Sequence, residues 1–386
     1  GNVFFNGANA YLQQHLPYLR KPRPLADKLL NSRLVDGILS RLSPGTDASN
    51  LGPLTQSMLE GEAGNQSKEI DRLSRWLKDE MRPDVIHLSN LLLVGMARRL
   101  REEVGVPVVC SMQSEAHFID DLKEPFQENC VREIRARANE LDGLVAVSSW
   151  YASHACEKYS INSDLVEVIH PGVPIAGHIQ GGSRGLPRSR LKIGYLARLA
   201  PEKGLDRLCE AFCEILASGG SEDLYLGAAG YFPRSSVPWF RELSERTRRA
   251  VGKNKVEFME APDREQKLEF LSSLDIFSVP ARVAEAKGLY ALEAMASGVP
   301  LVLPGRGVFP EYFEIGGGGI LYNPDEPDSL RKALETMIGD EELRSRCGKE
   351  GRDAAESYFN SDRMGRETMK FYRRLSGVGG PVEPVT

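Results

Sequence analysis

Two carboxylates stand eight positions apart in Glu285-Ala286-Lys287-Gly288-Leu289-Tyr290-Ala291-Leu292-Glu293, which runs on into Ala294-Met295-Ala296-Ser297-Gly298-Val299-Pro300. Gly288 can open a helix, and Leu289, Leu292, Met295 and Ala296 then share one side of it. A Glu just ahead of a helix and another within it can face the same cleft. Between them the helix N-terminus offers backbone N–H groups and the positive end of the helix dipole. That set suits a phosphorylated ligand, with N–H groups for phosphate and carboxylates for sugar hydroxyls. The same spacing also fits a surface helix with two solvated glutamates, so the surrounding elements have to decide.

A second pair lies upstream. Leu191 to Ala197 reads as a strand, Arg198-Leu199-Ala200-Pro201-Glu202-Lys203-Gly204 as a loop, and Leu205 to Leu216 as a helix. Arg198 and Lys203 then sit at the carboxyl end of a strand, where they can converge on a diphosphate, Arg by its planar fork and Lys as a point charge. Surface Arg and Lys are plentiful, so the pair is not specific alone. Strands at 223–228, 255–259, 275–279, 299–303 and 320–322 alternate with helices at 238–252, 263–274, 326–338, 340–358 and 361–375. This is a complete α/β domain. The basic stretch Arg241, Arg246, Arg248, Arg249, Lys253 reads as a solvated helix face.

The first half alternates in the same way. Val3 to Phe5 is a short strand candidate. Residues 24–42 form an amphipathic helix with Lys28, Arg33 and Arg41 on its polar face, which fits a helix packed on a domain and also one lying on a membrane surface. A helix through Ile70 and Leu77 ends at Arg82-Pro83. Strands at 85–88, 106–111, 143–148 and 166–169 alternate with helices at 91–104, 121–141 and 150–159. The strands imply a parallel sheet covered on both faces. Ligands bind beyond the carboxyl ends of such strands, where Ser89, Gln113, Ser148 and His170 are either pocket residues or turn residues satisfying local backbone. Residues 176–190 read as an exposed linker.

The bulk numbers set limits. A chain of 386 residues exceeds one ordinary core and calls for two domains. A net charge of −5 gives no drive toward nucleic acid. No run approaches the ~18 apolar residues of a membrane helix. The six cysteines form no metal-ligand pattern. Cys209 and Cys213 share a helix face and read as core, and the usage points to a reducing, cytoplasmic compartment.

The second half resembles the donor-binding domain of retaining glycosyltransferases of family 4, the glycosyl transferase group 1 class. The resemblance rests on Arg198-x4-Lys203-Gly204, Glu285-x7-Glu293, Ala294 to Pro300, Pro310-Glu311, and the Gly319-Ile320-Leu321-Tyr322-Asn323-Pro324 strand. The first half fits through Pro83-Asp84-Val85-Ile86-His87, Val147-Ser148 and Val168-Ile169-His170-Pro171-Gly172-Val173. The resemblance implies an α/β GT-B fold, with two Rossmann-like, doubly wound parallel-sheet domains facing a cleft. It implies an acceptor-side domain over 1–180, a donor domain over 181–358, a C-terminal helix over 359–376 packing back on the first domain, and a disordered tail over 377–386. Arg198 and Lys203 would hold the donor diphosphate and stabilise it as it leaves. Glu293 would grip the ribose, Glu285 would contact the donor sugar, and Gly288 and Leu289 would offer N–H groups. Glu285, Arg198 and Lys203 are thus the expected catalytic residues, with no metal and no cofactor beyond a nucleoside-diphosphate sugar as co-substrate.

There are departures from the family pattern. Ala197 and Glu260 stand where the family has Gly, and Lys287 where an aromatic precedes the Gly. Gln113 stands where a His lines the sugar pocket, with His117 four residues on as its alternative. The family opens with a strand and a Gly-rich loop, and nothing before Asn6 provides one, so the start of the first domain is expected to be missing. The resemblance implies a retaining glycosyltransferase acting on a carbohydrate, lipid or small-molecule acceptor, with peripheral membrane contact allowed. A non-catalytic nucleotide-sugar-binding relative is the alternative. A GT-B epimerase suits the Glu285-x7-Glu293 pair less well.

Overall fold

The computed structural model describes residues 13–14, 16–20, 51–178, 190–219 and 223–377. The strand expected at Val3–Phe5, the basic helix at 24–42, the missing Gly-rich loop, most of the linker and nearly all of the tail lie outside the described residues. The chain divides into two compact units, residues 1–169 with 367–386 and residues 170–366.

The first unit contains α1 (Gly52–Leu59), α2 (Ser67–Trp76), β1 (Ile86–Leu88), α3 (Ala97–Val104), β2 (Val108–Met112), α4 (Glu115–Asp120), α5 (Phe126–Ala138), β3 (Gly143–Ala146), α6 (Ser149–Tyr159) and β4 (Val166–Val168). The four strands are parallel and ordered β1-β2-β3-β4. Gly143-Leu144-Val145-Ala146 is buried at every position, as a strand covered on both faces must be. The helix expected over 121–141 is shorter, α5 alone, and a separate short helix, α4, ends just ahead of that range. Pro125 has no N–H to give a helix interior and instead takes the N-cap of α5.

The second unit contains β5 (Leu191–Leu196), α7 (Leu205–Ala217), β6 (Leu224–Gly230), α8 (Val237–Val251), β7 (Val256–Glu260), α9 (Arg264–Ser272), β8 (Ile276–Phe277), α10 (Leu289–Ala296), β9 (Leu301–Pro304), α11 (Phe309–Gly316), β10 (Gly319–Tyr322), α12 (Ser329–Gly339) and α13 (Glu341–Ser357). A last helix, α14 (Ser361–Ser376), runs on into residues of the first unit. There its Phe371 ring lies against Gly143, where a Cβ would come within 2.6 Å of it, and its Tyr372 hydroxyl meets His87 at 2.5 Å.

The six parallel strands of the second unit are ordered β10-β9-β8-β5-β6-β7. The chain winds outward from β5 through β6 to β7, then returns to β8 beside β5 and winds the other way. The winding reverses between β5 and β8, and the loops leaving these two strands flank the switch point where such sheets bind ligands. β8 is shorter than the strand expected over 275–279, although the Ser278 N–H still donates to the Gly194 carbonyl at 2.9 Å. Helix α11 forms where the sequence marks only Pro310-Glu311. Pro310 lies in its first turn, where a missing N–H costs nothing.

Candidate functional site

The loop after β5 carries Arg198 and Lys203, and the loop after β8 carries Glu285. Although 82 residues apart in sequence, the Lys203 ammonium and a Glu285 carboxylate oxygen are in direct contact. Their side chains are only 13% and 11% exposed, so this is a largely desolvated pair. Removing one partner of such a pair leaves a stranded charge and costs about 3–5 kcal/mol. Lys203 also lies 6.0 Å from the Tyr290 ring centre. Arg198 is bound locally, to Glu202 at 2.9 Å, and is more than half exposed. The Tyr195 hydroxyl donates to the Arg198 carbonyl at 2.8 Å, fixing the backbone where the loop begins.

The two loops are braced together. Arg282 holds Asp206 through two hydrogen bonds of 2.7 and 2.6 Å, and its own N–H donates to the Glu202 carbonyl at 2.9 Å. Burial alone would push the Asp206 carboxyl up, but the Arg282 guanidinium outweighs it and leaves the group below the usual carboxylate range.

Three contacts set the loop that ends at α10. The Val308 N–H donates to the Glu285 carbonyl at 2.9 Å, and the Tyr312 hydroxyl donates to the Lys287 carbonyl at 2.6 Å. Gly288, at φ 43° and ψ 46°, then turns the chain into the helix. A Cβ there would strike the Phe309 ring at 2.6 Å, so only glycine lets α11 support this turn. The Ala291 N–H donates to the Gly288 carbonyl at 2.8 Å, so the N–H groups of Gly288, Leu289 and Tyr290 precede the first bonded turn and have no acceptor inside the helix. Leu289 is 40% exposed, a large apolar side chain left open at this end. Glu293, one turn further along α10, is bound by Lys267 at 2.5 Å. Among the described residues the buried Tyr290 hydroxyl has no hydrogen-bond partner.

The structure thus brings Lys203, Glu285, Gly288, Leu289 and Glu293 to one end of the second unit's sheet, with Arg198 on the adjoining loop. In the first unit, Gln113 and His117 follow β2. The Gln113 side chain donates to the Ser89 carbonyl at 2.7 Å, and His117 lies on α4. Ser148 is buried and caps α6 by accepting the Tyr151 N–H at 3.1 Å. His170 is also buried, between Glu311 at 2.5 Å and the Tyr358 hydroxyl at 3.1 Å. His170 belongs to the second unit, and each of the two is bonded within its own unit.

Sequence reasoning missed Lys267, Tyr290 and the Arg282–Asp206 brace. It also missed Glu115, whose buried carboxylate accepts from the Leu91, Gln113 and Ser114 N–H groups and the Tyr151 hydroxyl at 2.8–3.1 Å. Tyr290 lies inside the motif and could have been marked by its position. The others are visible only once distant segments meet.

Residues 182–354 match the family model of glycosyl transferases group 1, and residues 57–176 match that of glycosyltransferase family 4. The chain is 28% identical over 214 residues to a D-inositol 3-phosphate glycosyltransferase of Corynebacterium efficiens, a match covering 52% of this chain and 49% of that one. It spans about half the length of that relative. Among solved structures, sucrose-phosphate synthase of Thermosynechococcus elongatus superposes with a TM-score of 0.69 at 19% identity, covering 82% of this chain and 79% of the other. HepE of Anabaena in complex with UDP gives 0.67 at 18% identity, covering 82% and 84%. The two matched segments, together with two parallel-sheet α/β units that superpose on these structures, place the chain in the family 4, group 1 glycosyltransferases of GT-B fold.

Proposed function

We propose that this protein transfers a sugar from a nucleoside-diphosphate sugar to an acceptor, with retention at the anomeric carbon and without a divalent metal. The observation that carries the reading is the desolvated Lys203–Glu285 pair at the switch point of the sheet, beside the Gly288 turn into α10. As the glycosidic bond breaks, negative charge gathers on the departing diphosphate. The Lys203 ammonium, the Arg198 guanidinium and the N–H groups opening α10 are preorganised donors for that charge, each worth on the order of 3 kcal/mol in the transition state. Three such sources of positive charge take the place a metal ion would fill. Glu285, within reach of the same space, accepts from donor-sugar hydroxyls. Glu293, held by Lys267, accepts from the ribose. The UDP held by HepE supports a nucleotide ligand of this class.

The test is thermal shift and calorimetry with UDP and other nucleoside diphosphates on the whole chain, beside Glu293→Ala. Binding to the parent that weakens in the variant supports the reading. Failure of every nucleoside diphosphate to bind would remove it.

A further inference from the structure

At the opposite end of the same sheet lies a concavity of about 460 Å³ that the proposed transfer reaction does not use. β5 spans six residues, so this end is about 20 Å from the Arg198 loop. The lining includes Arg190, Lys192, Arg248, Lys253 and Lys255, against the single carboxylate of Glu257. The chain as a whole carries −5, so this local excess of positive charge opposes the sign of the molecule.

The cations are held in place by construction. Lys192 pairs with Tyr225 across β5 and β6, and Lys255 immediately precedes Val256, the partner of Leu226 on β6. Lys192, Tyr225 and Lys255, the residue just ahead of β7, therefore form a row across β5, β6 and the start of β7. The Tyr225 ring centre has Arg190 at 5.3 Å and Lys255 at 4.8 Å, and Phe258 has Arg248 at 5.1 Å. Gly227 leaves room for Lys192 to lie across β6, since a Cβ there would meet the Lys192 Cε at 2.7 Å. The ammonium so placed reaches Glu257 at 3.0 Å and the Ser273 hydroxyl at 3.3 Å. Cations gathered over aromatic faces in a concavity of ligand size focus an attractive field on an anion and repel one another without it.

We infer that this concavity is a second binding site, for a group bearing two or more phosphates. Lys and Arg supply charge-assisted donors to the phosphate oxygens, and Tyr225 forms the floor. The group can belong to a soluble polyphosphate or to a phosphorylated lipid headgroup, since both present the same chemistry.

The experiment uses the whole chain. Inorganic tripolyphosphate is titrated by calorimetry, and vesicles of phosphatidylcholine with and without phosphatidylinositol bisphosphate are tested by co-sedimentation. Each is repeated on Arg190→Glu/Lys255→Glu and on Lys203→Ala. We expect Lys203→Ala to lose at most the portion bound at the proposed diphosphate position and to retain the rest, and the double reversal to lose about tenfold or more in affinity for that retained portion, with weakening at high salt. Binding of tripolyphosphate assigns a soluble source, and binding of the phosphoinositide vesicles alone assigns a headgroup. If the double reversal lowers the melting temperature, Arg190→Glu/Lys253→Glu, both at exposed positions, must show the same loss. Binding unaffected by these reversals, binding abolished by Lys203→Ala, or no binding to either probe would overturn the inference.

Discussion

Lys203→Ala should have two separable effects, because the ammonium both balances Glu285 and faces the proposed diphosphate position. The first is on stability. The Glu285 carboxylate, 11% exposed, loses its partner, and the slight remaining exposure puts the cost at the low end of the range for buried pairs, about 3 kcal/mol. For a unit of this size that corresponds to a fall in melting temperature of roughly 6–12 °C. Neutralising the stranded carboxylate, in Lys203→Ala/Glu285→Gln, should recover most of it. The second effect is on the nucleotide. Loss of one charge-assisted contact, about 1.5–3 kcal/mol, weakens UDP binding roughly ten- to 150-fold, and the double variant should not recover this. Differential scanning calorimetry measures the first and isothermal titration with UDP the second. A single variant that melts lower yet binds UDP like the parent would make Lys203 only a structural partner of Glu285. An unchanged melting temperature would refute the desolvated pair.

Glu285→Gln should keep or raise UDP affinity, because Lys203 is released, while donor turnover falls on the order of a hundredfold. A matching loss of UDP affinity would end that division of roles. Gly307, at φ 63°, runs so close to Glu285 that a Cβ would come within 2.5 Å of its carbonyl oxygen and 2.6 Å of its nitrogen. Gly307→Ala should therefore cost about 2 kcal/mol or more in a urea titration and lower turnover by displacing the carboxylate. His178 is depressed to about 4, first by burial and then by Arg352 nearby, while its Nδ1 meets the Ser297 hydroxyl at 2.8 Å. Its folded form resists protonation, so its contribution is full above pH ~6.5 and is lost as pH falls from there toward 4. The group is partly solvated, so the change is about 1–2 kcal/mol after screening. His178→Gln should flatten the urea midpoint between pH 7 and 5, and an unchanged slope would discount His178.

What the sequence showed and what it withheld follow from the range of each interaction. The turn at Gly288 and the two glutamates were legible because they lie within nine residues and one helix fixes their geometry. The alternation of apolar runs gave the strands, since parallel strands buried on both faces admit little else. The Lys203–Glu285 contact was not legible, because nothing local says that loops 82 residues apart leave neighbouring strands. Nor was α11, whose Phe-Pro-Glu start looks like a turn until Phe309 and Tyr312 are seen to wedge under the Gly288 loop. The run expected to be helical through Pro125 failed on a signal that was present, a proline better suited to start a helix than to continue one. Cys209 lies in the core, and burial raises its thiol to about 12. The basic stretch ending in Lys253 reads as solvated surface in one dimension, and its place beside Arg190 and Tyr225 appears only when the strands are set in register.

The most direct test of the transfer reaction is proton NMR of the first product formed from a panel of α-linked nucleoside-diphosphate sugars, with EDTA present throughout. Water or an added alcohol serves as acceptor. We expect at least one donor to be consumed without divalent metal and its first-formed product to be the α anomer, with consumption falling in Glu285→Gln. A β-configured first product, or turnover that appears only when magnesium or manganese is restored, would contradict the account.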